Sequence, residues 1–336
     1  MNKFLLTIAI PTLNRSNYLK GLLLNIFSQI EGSNLENIVQ VLVVDGNSSD
    51  NTQNMIRELQ KKRNIKYHRR KKRMGIDRDI LKCVELTEGQ YCWLFSDDDR
   101  LSDGALITLL KKLKYHKEVT GCFCNRMPFN FKMEKRVSEV KLWPGEIINA
   151  DRIYNNKTKC FKDIGMDFGF ISSQVINKSE WDKIVENSDF GGLYTSYYLM
   201  VHIISKMMDS DCFTWLYIHQ PLVKQRTGND SLLNSGGIIK RNMVEHNSFE
   251  KILLKHFDKS SKEYKSFFKK MVKRLPRVIV NLKSQGCDYK VQFSLCKLYS
   301  SKYKNYIKFW VNVVPIFLIP NIVCIIIRKI YFKYLI

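Results

Sequence analysis

Short apolar runs and amphipathic segments alternate along the first 125 residues of the chain. The apolar runs predict buried strands, and the segments with apolar residues every three or four positions predict helices. The predicted strands are Phe4–Ile10, Val39–Val44, Ile65–His68, Tyr91–Phe95 and Gly121–Cys124. The predicted helices are Tyr18–Ile30, Thr52–Lys62, Asp77–Thr87 and Asp103–Leu113. This alternation predicts an α/β fold with a mostly parallel sheet and helices on both faces.

The pattern is less regular after residue 125. It predicts strands at Gly169–Ile176 and Thr214–Ile218, helices at Ser179–Glu186 and Leu193–Met208, and a loop at Arg226–Gly237. Residues 240–308 have the pattern of several basic amphipathic helices, which Pro276 and Gly286 are expected to interrupt. The second half is therefore predicted to end in a basic helical region.

Polar clusters follow three of the predicted strands, at Thr12–Arg15, Asp45–Asp50 and Ser96–Asp99. In parallel sheets, ligands bind outside the carboxyl ends of the strands, which is where these clusters fall. The adjacent carboxylates Asp97, Asp98 and Asp99 repel one another unless a cation or hydrogen-bond donors neutralise them. A divalent cation with oxygen ligands would do so. The alternative is a solvated acidic turn before the next helix, and for Asp45 the alternative is a role in its turn.

Several common catalytic motifs are absent from the sequence. There is no G-x-G-x-x-G after a strand, no G-x-x-x-x-G-K-[ST], no H-E-x-x-H and no G-x-S-x-G. These absences argue against a glycine-rich phosphate cradle, a zinc protease helix and a hydrolase nucleophile turn. A nucleotide bound to this sheet would therefore be held by the acidic residues at the strand ends, through a metal.

Positive charge is concentrated at the C-terminus. The chain has 55 Lys and Arg against 32 Asp and Glu, a net charge of +23, and residues 251–336 hold 19 of the basic residues and three of the acidic ones. The segment Phe309–Ile327 has no charged residue, contains Pro315 and Pro320, and is flanked by lysines. It is compatible with a tilted span, a re-entrant hairpin, an interfacial anchor on anionic lipid, or a buried segment with a lysine-rich rim.

The cysteines and the N-terminus favour a cytoplasmic protein. The nine cysteines are scattered and contain no C-x-x-C pair, which suits a reducing compartment. The apolar run after Lys3 is only seven residues long and lacks a small-residue cleavage site, so it predicts a strand rather than a signal peptide.

Three motifs together resemble the family 2 glycosyltransferases with the GT-A (Rossmann-like) fold. They are Ile10–Arg15 (IPTLNR), Val43–Asp50 (VVDGNSSD) and Gly89–Asp99 (GQYCWLFSDDD), and Gly75–Asp77 adds a likeness to the abequosyltransferase-like branch. The resemblance implies a nucleotide-sugar donor, Mn²⁺ or Mg²⁺, and an inverting sugar transfer in bacterial surface polysaccharide synthesis. It also implies that a nucleotide site is lined by Pro11, Thr12, Asn14, Arg15, Asp45 and Asp77, with Asp97 near the ribose and Asp98 as the metal ligand. Because Ser96 replaces the first acid of the usual D-x-D-D pattern, Asp99 is a rival metal ligand.

The resemblance does not carry over to the catalytic base. The family places a Glu-Asp pair about 90 residues after the metal motif, but this chain has no such pair there. Asp189 is the nearest carboxylate and is our candidate, and its alternative role is to cap the following helix. Asp182, Glu186 and Asp211 are weaker candidates.

These observations predict a metal-assisted glycosyltransferase. The predicted organisation is a GT-A domain at 1–238 (nucleotide half 1–125, acceptor half 126–238), a basic helical region at 239–308 and a membrane-associating segment at 309–336. The expected partners are a nucleotide sugar, a lipid-linked glycan and the anionic inner face of the cell membrane, but not nucleic acid; the sequence does not predict the oligomeric state. The alternatives are a non-catalytic membrane-bound nucleotide-sugar binding module and a nucleic-acid-binding protein.

Overall fold

The computed structural model describes residues 3–137, 148–229 and 231–334. The chain forms two compact units, Met1–Asn229 and Asp230–Ile336. The first unit contains one sheet with flanking helices, and the elements described in the second unit are all helices.

The first unit is built on a nine-stranded sheet with the order β3-β2-β1-β4-β8-β6-β9-β5, in which β7 pairs with β9. The strands are β1 (Phe4–Thr12), β2 (Val39–Asp45), β3 (Ile65–Arg69), β4 (Gly89–Leu94), β5 (Arg100–Leu101), β6 (Gly121–Phe129), β7 (Arg152–Tyr154), β8 (Gln174–Asn177) and β9 (Trp215–Arg226). Strands β3, β2, β1 and β4 are parallel neighbours, as the alternating pattern predicts. The strand β8 is antiparallel to both β4 and β6.

Helices flank the sheet and bury apolar side chains. They are α1 (Ser16–Glu31), α2 (Thr52–Gln60), α3 (Ile76–Glu85), α4 (Ala105–Tyr115), α5 (Lys157–Asp163), α6 (Lys178–Glu186) and α7 (Leu199–Met207). On α1 the buried residues Leu19, Leu22, Leu23, Ile26, Phe27 and Ile30 recur every three or four positions. All seven residues of β2 are buried, as expected for a strand covered on both faces.

The register of the parallel strands brings the predicted polar clusters to one edge. Thr12, the last residue of β1, pairs with Asp45, the last residue of β2. Ala9 of β1 pairs with Leu94 of β4, and the Phe95 N–H then donates to the Ala9 carbonyl, so the chain reaches Asp97 at the same edge. The sheet therefore collects Thr12, Asp45 and Asp97 where ligands bind in such folds.

Two predicted elements between residues 165 and 208 are wrong in extent. Instead of a strand at Gly169–Ile176, the chain makes 3-10 turns at Gly165–Gly169 and Ile171–Ser173 before β8 begins. Instead of a helix at Leu193–Met208, it makes a 3-10 turn at Gly191–Thr195 and then α7. Tyr197 interrupts that helix because its φ of +63° is incompatible with a right-handed helix.

The predicted loop at Arg226–Gly237 is also wrong in extent, since only residues 227–230 lie between β9 and the start of the next helix. Arg226 is the last residue of β9, where it pairs with Phe129 of β6. The helix α8 begins at Ser231 and continues to Met243, with a break at Gly237, whose φ of +70° is outside the helical region. The apolar residues that follow Asp230 in the sequence were the missed signal for this helix.

The second unit consists of α8 (Ser231–Met243), a π-helical turn (Val244–Ser248), α9 (Phe249–His256), α10 (Lys262–Ser284), α11 (Tyr289–Tyr303), α12 (Ile307–Asn312), α13 (Val314–Leu318) and α14 (Asn321–Tyr334). Contrary to the prediction, α10 continues through Pro276, whereas Gly286 does follow its end. No single helix in the described parts of the chain is long and apolar enough to cross a membrane. The pair Ile307–Leu318 and Asn321–Ile330 together reaches the length and apolar composition of a span, but the two segments are bent by 110°.

Candidate active site

Asp97 is held by Thr12, the last residue of β1, and by Arg15, in the loop that follows. Its Oδ2 accepts a hydrogen bond from Thr12 Oγ1 at 2.7 Å, and its Oδ1 accepts one from Arg15 Nη1 at 2.9 Å. Burial raises the pKa of Asp97 to about 6, against the opposing effect of the Arg15 guanidinium. Three of the residues predicted for the nucleotide site, Thr12, Arg15 and Asp97, are therefore in direct contact.

Asp98 accepts hydrogen bonds from one residue nearby in the sequence and from one far away in the sequence. Ser96 Oγ donates to Asp98 Oδ1 at 2.7 Å, and Asn229 Nδ2 donates to Asp98 Oδ2 at 2.7 Å. The guanidinium of Arg15 also lies 3.4 Å from Asp98 Oδ2. The side chain is 10% exposed, twice the value for Asp97, so Asp98 has more access to a ligand.

Asp99 is buried against residues far away in the sequence. Ser172 Oγ donates to Asp99 Oδ2 at 2.6 Å, and the Arg226 N–H donates to Asp99 Oδ1 at 2.8 Å. Burial and the neighbouring charge of Asp98 raise the pKa of Asp99 to about 7. Asp98 and Asp99 are adjacent in the chain, and repulsion between two neighbouring carboxylates is what a bound cation relieves.

The contacts of Ser172, Arg226 and Asn229 were missed by sequence reasoning. Ser172 lies in a segment that was predicted to be a strand, and nothing local marks it as a partner of Asp99. Arg226 and Asn229 lie in the Gly-, Asn- and Ser-rich segment that was predicted to be a loop, and such composition was the one available signal. Arg226 also donates through Nε to the Asp98 carbonyl at 2.8 Å, so it holds the acidic triplet by two bonds.

Asp45 is fully buried and organises the turn that follows β2. Its Oδ1 accepts a hydrogen bond from the Ser48 N–H at 2.7 Å, and its Oδ2 accepts one from Tyr67 Oη at 2.6 Å. Arg69 Nε lies 3.8 Å from the same Oδ2. The geometry thus includes the role in the turn that was the alternative for Asp45.

The loop after β1 is fastened to this turn. The Asn14 N–H donates to Ser48 Oγ at 2.8 Å, and Asn14 Oδ1 accepts from the Ser49 N–H at 2.7 Å. Asn14 has a φ of +55°, which asparagine tolerates better than most residues. Pro11 is a buried residue of β1 that pairs with Val44. The Thr12–Arg15 and Asp45–Asp50 clusters are therefore joined by hydrogen bonds.

The glycine at position 46 accommodates a close approach by Asp79. A Cβ on Gly46 would lie 2.9 Å from Asp79 Oδ2. Arg70 Nε donates to the other oxygen of Asp79 at 3.0 Å. The first turn of α3 is thereby placed against the turn that carries Asp45.

Asp77, from the same helical turn, contacts a different part of the chain. Its Oδ2 accepts from the Tyr197 N–H at 2.7 Å, and its Oδ1 accepts from the Leu199 N–H at 3.2 Å. Burial raises the pKa of Asp77 to about 6, and these backbone N–H groups oppose the increase. Among the described residues, no hydrogen bond or ion pair joins Asp77 to the Asp97–Asp99 triplet. Asp77 instead holds the start of α7 and the strained backbone of Tyr197.

The raised pKa of Asp77 predicts a pH-dependent stability. Between about pH 4 and pH 6 the folded protein keeps a proton on Asp77 that the unfolded chain has released, so the free energy of unfolding falls as pH rises through this window. We expect Asp77→Asn to reduce the slope of the melting temperature against pH in that window. Asp97 and Asp99 are retained in both proteins, so the difference between the slopes isolates Asp77. Asp103→Asn removes an exposed carboxylate and serves as the control; identical slopes for wild type and Asp77→Asn would contradict the prediction.

Asp189 lies apart from these contacts, on an exposed segment. Its Oδ1 accepts a hydrogen bond from the Gly191 N–H at 2.9 Å, at the start of a 3-10 turn. Within the described part of the chain, no hydrogen bond or ion pair joins Asp189 to the strand-end acids. Of the weaker candidates, Asp182 is paired with Lys178, and Glu186 and Asp211 are exposed.

Comparisons with known proteins show which family this chain resembles in sequence. Residues 7–172 match the family model described as glycosyl transferase family 2. The chain is 28% identical over 289 residues to the abequosyltransferase RfbV of Salmonella typhimurium, which covers 83% of each protein. The matched family segment contains Thr12, Arg15, Asp45, Asp77, the acidic triplet and Ser172.

Solved structures share the fold. A crystal structure of residues 1–349 of S. aureus TarS is 13% identical, with a TM-score of 0.52 over 86% of this chain and 82% of that one. The mannosyltransferase PcManGT from Pyrobaculum calidifontis, in complex with GDP-Man and Mn²⁺, is 13% identical, with a TM-score of 0.51 over 98% of this chain and 88% of that one. Residues 7–172 thus belong to glycosyl transferase family 2, and the chain is a family 2 glycosyltransferase with the GT-A fold, related to the abequosyltransferase branch.

Proposed function

We propose that this enzyme moves one sugar from a nucleotide-sugar donor to a glycan acceptor during the synthesis of a bacterial surface polysaccharide. The observation that carries the proposal is the acidic triplet Asp97–Asp99, held at the carboxyl edge of the sheet by Thr12 and Arg15. The similarity to an abequosyltransferase supports a role in polysaccharide synthesis. The similar folds of TarS, which is also known in complex with UDP-GlcNAc, and of PcManGT with GDP-Man support the class of donor.

The chemistry of the triplet fits a divalent cation that is held together with the donor's diphosphate. No group of three or more His, Cys, Asp or Glu residues poised for a metal occurs in the described ranges. Mg²⁺ and similar cations, however, are commonly held by one or two carboxylates together with substrate phosphates. Asp97 is hydrogen-bonded to Arg15, and its side chain is less exposed than that of Asp98. Burial and the neighbouring charge of Asp98 raise the pKa of Asp99. We assign Asp98 as the ligand for Mn²⁺ or Mg²⁺, with Asp99 as its rival.

The residues of the chain would contribute orientation and proton transfer. Thr12 and Arg15 hold the Asp97 carboxylate toward the ribose, and the turn of Asp45 receives the nucleoside. A bound cation would stabilise the charge that develops on the leaving diphosphate. A carboxylate on the acceptor side takes the proton of the acceptor hydroxyl as its oxygen bonds to the anomeric carbon and the bond to the diphosphate breaks. A single displacement of this kind inverts the anomeric configuration.

We propose Asp189 as that base. One of its two carboxylate oxygens makes no hydrogen bond within the described structure, and the residue is exposed, so it is accessible to an acceptor hydroxyl. We expect Asp189→Asn to lower the transfer rate by about 10²-fold or more while leaving donor affinity unchanged. Asp182→Asn, at a carboxylate already paired with Lys178, is the matched control.

Single-turnover transfer and donor calorimetry distinguish the two roles of Asp189. A normal transfer rate in the Asp189→Asn variant would leave Asp189 with its hydrogen bond to Gly191 as its only role. A loss of donor affinity would likewise contradict its assignment as the base, because the base faces the acceptor.

The acceptor and the location complete the proposal. The acceptor is a lipid-linked glycan, and the enzyme works from the cytoplasm at the inner face of the cell membrane. The basic, apolar C-terminal segment supports this location, since residues 251–336 contain 19 Lys and Arg and three Asp and Glu. Charge of this kind attracts a protein to anionic lipid.

Hydrolysis of a panel of nucleotide sugars tests the proposed donor class. The purified full-length chain is incubated with each nucleotide sugar and Mn²⁺, and release of nucleoside diphosphate is measured. We expect slow release from one donor, and loss of that release when the cation is chelated. A protein that neither hydrolyses any nucleotide sugar nor is stabilised against heat by any of them would contradict the proposal.

A further inference from the structure

The last three helices expose apolar side chains on regular faces. On α14, Ile322, Ile326 and Ile330 are four residues apart and therefore lie on one face, and all three are exposed. On α12, Ile307 and Val311 have the same spacing and are 74% and 64% exposed. Leu318, at the end of α13, is 82% exposed. We call these six residues the C-terminal apolar surface.

The same helices are folded against the rest of their unit by other residues. Phe309, Val313 and Cys324 are fully buried. Lys283 Nζ of α10 donates to the Phe317 carbonyl at 2.9 Å, and Gln292 Nε2 of α11 donates to Asn321 Oδ1 at 3.2 Å. The segment is thus part of the folded unit, as expected for the alternative of a buried segment with a lysine-rich rim. It nevertheless keeps an apolar surface that no described residue covers.

The charge around the C-terminal apolar surface limits what can cover it. Residues 289–336 contain eight Lys and Arg and no Asp or Glu. Lys304, Lys308 and Lys329, beside the exposed faces, are themselves exposed. A second copy of the chain, packed symmetrically on the same surface, would bring these like charges together. Anionic lipid headgroups neutralise the lysine charges, and the acyl chains beneath the headgroups accept the apolar side chains.

Trp310 adds a feature that is typical of a membrane interface. The side chain is half exposed, and its Nε1–H donates to the Lys304 carbonyl at 2.8 Å. Tryptophan is enriched at the level of the headgroups because its ring is apolar and its N–H is polar. Because Trp310 lies next to exposed lysines, we expect it at the level of the headgroups rather than in the hydrocarbon interior.

The geometry favours entry into one leaflet over a membrane span. The 14 residues of α14 extend about 21 Å, less than the roughly 30 Å of a hydrocarbon core. The two apolar segments, Ile307–Leu318 and Asn321–Ile330, are bent by 110° at the break between them. A straight span would also break the contacts of Phe317 and Asn321 with α10 and α11.

We propose that the C-terminal apolar surface and its neighbouring lysines form a monotopic membrane-binding site, which enters one leaflet of an anionic bilayer without crossing it. The site needs neither the donor nor the metal. Its benefit to catalysis, which is delivery of the enzyme to a lipid-linked acceptor, rests on the function proposed above.

Vesicle flotation of the full-length chain tests the site. The wild-type protein should float with vesicles of phosphatidylcholine and phosphatidylglycerol and bind phosphatidylcholine alone at least about tenfold more weakly. Replacing Leu318→Ser and Ile322→Ser together should weaken binding to the anionic vesicles by about tenfold or more. Leu24→Ser with Ile107→Ser, at residues that are 42% and 39% exposed in the first unit, is the matched control and should bind as the wild type does.

Further measurements identify how deeply the site enters the bilayer and how much the lysines contribute to binding. Lys304→Gln with Lys308→Gln should weaken binding to anionic vesicles and leave the weak binding to phosphatidylcholine unchanged. Trp310 fluorescence, taken as the difference between wild type and Trp310→Phe, should be quenched by lipids brominated near the headgroup. A C-terminal tag should stay accessible to protease outside the vesicle; protection of the tag would show a span and overturn the one-leaflet mode.

The outcomes separate this site from the proposed function. If wild type fails to float, or if the Leu318 and Ile322 double variant binds as well as wild type, the site is wrong even when the protein hydrolyses a nucleotide sugar. If the protein floats as described but hydrolyses no donor, the membrane site stands and the proposed donor chemistry fails. Circular dichroism melts of each variant confirm that lost binding is not lost folding.

Discussion

Asp98→Asn should lower sugar transfer by about 10³-fold or more and leave the fold intact. Asp98 is the most accessible residue of the acidic triplet, and we propose that it would hold a cation that stabilises the charge on the donor's diphosphate. Such a cation supplies several kcal/mol of stabilisation to the developing charge, and each 1.36 kcal/mol is about tenfold in rate. Steady-state transfer at saturating Mn²⁺ is the measurement.

The stability of the same variant is an independent check. The charge of Asp98 contributes to the raised pKa values of Asp97 and Asp99, so removing it lowers the repulsion within the triplet. The melting temperature should therefore stay the same or rise. Asp103→Asn, four residues after Asp99 and 94% exposed at its side chain, is the matched control and should keep full activity.

Asp99→Asn decides between the rival ligands. A large loss in Asp98→Asn with a small one in Asp99→Asn supports Asp98, and the reverse result supports Asp99. If both variants retain near wild-type turnover and metal dependence, the metal assignment of the triplet is wrong.

Asp45→Ala should weaken binding of the nucleoside diphosphate by about 10- to 100-fold, whichever sugar the donor carries. A hydrogen bond to a charged group contributes roughly 1.5–3 kcal/mol, which corresponds to that range. The effect should be the same for the nucleotide sugar and for the nucleoside diphosphate alone, because Asp45 lies at the end of β2 and is proposed to serve the nucleoside. Isothermal titration calorimetry with both ligands measures it.

Tyr67→Phe separates a nucleotide contact of Asp45 from its role in the turn. That variant removes the hydroxyl that donates to Asp45 Oδ2 but keeps the carboxylate and its bond to the Ser48 N–H. We expect nucleotide affinity within about twofold of wild type, since no charge is lost. Unchanged affinity in Asp45→Ala would remove Asp45 from the nucleotide site.

The C-terminal segment shows where sequence reasoning left alternatives and why. Residues Phe309–Ile327 have the composition of a span, an anchor or a buried segment, and composition is the same for all three. The fold buries Phe309, Val313 and Cys324 while it exposes Leu318 and Ile322. Which residues of an apolar run face a core depends on the helices that pack against it, and that packing is not a local property of the run.

The position of the acidic edge was determined by the sequence alone. Apolar runs that end abruptly in Asp45 and in Asp97–Asp99 must become strands whose carboxyl ends meet, because alternation with helices forces parallel pairing. The fold class and the family follow from these local patterns, and both are confirmed.

Tertiary structure alone decided which distant groups surround the acids. Ser172, Arg226 and Asn229 reach Asp98 and Asp99 across 73 to 131 residues, and Asp77 reaches Tyr197 across 120. Contacts between residues this far apart depend on how β8, β9 and α7 pack on the sheet, and no short-range periodicity encodes that packing. For the same reason, the sequence could indicate that these carboxylates form a site, whereas the fold decided which partners hold them and how far burial raises the pKa values of Asp77 and Asp99.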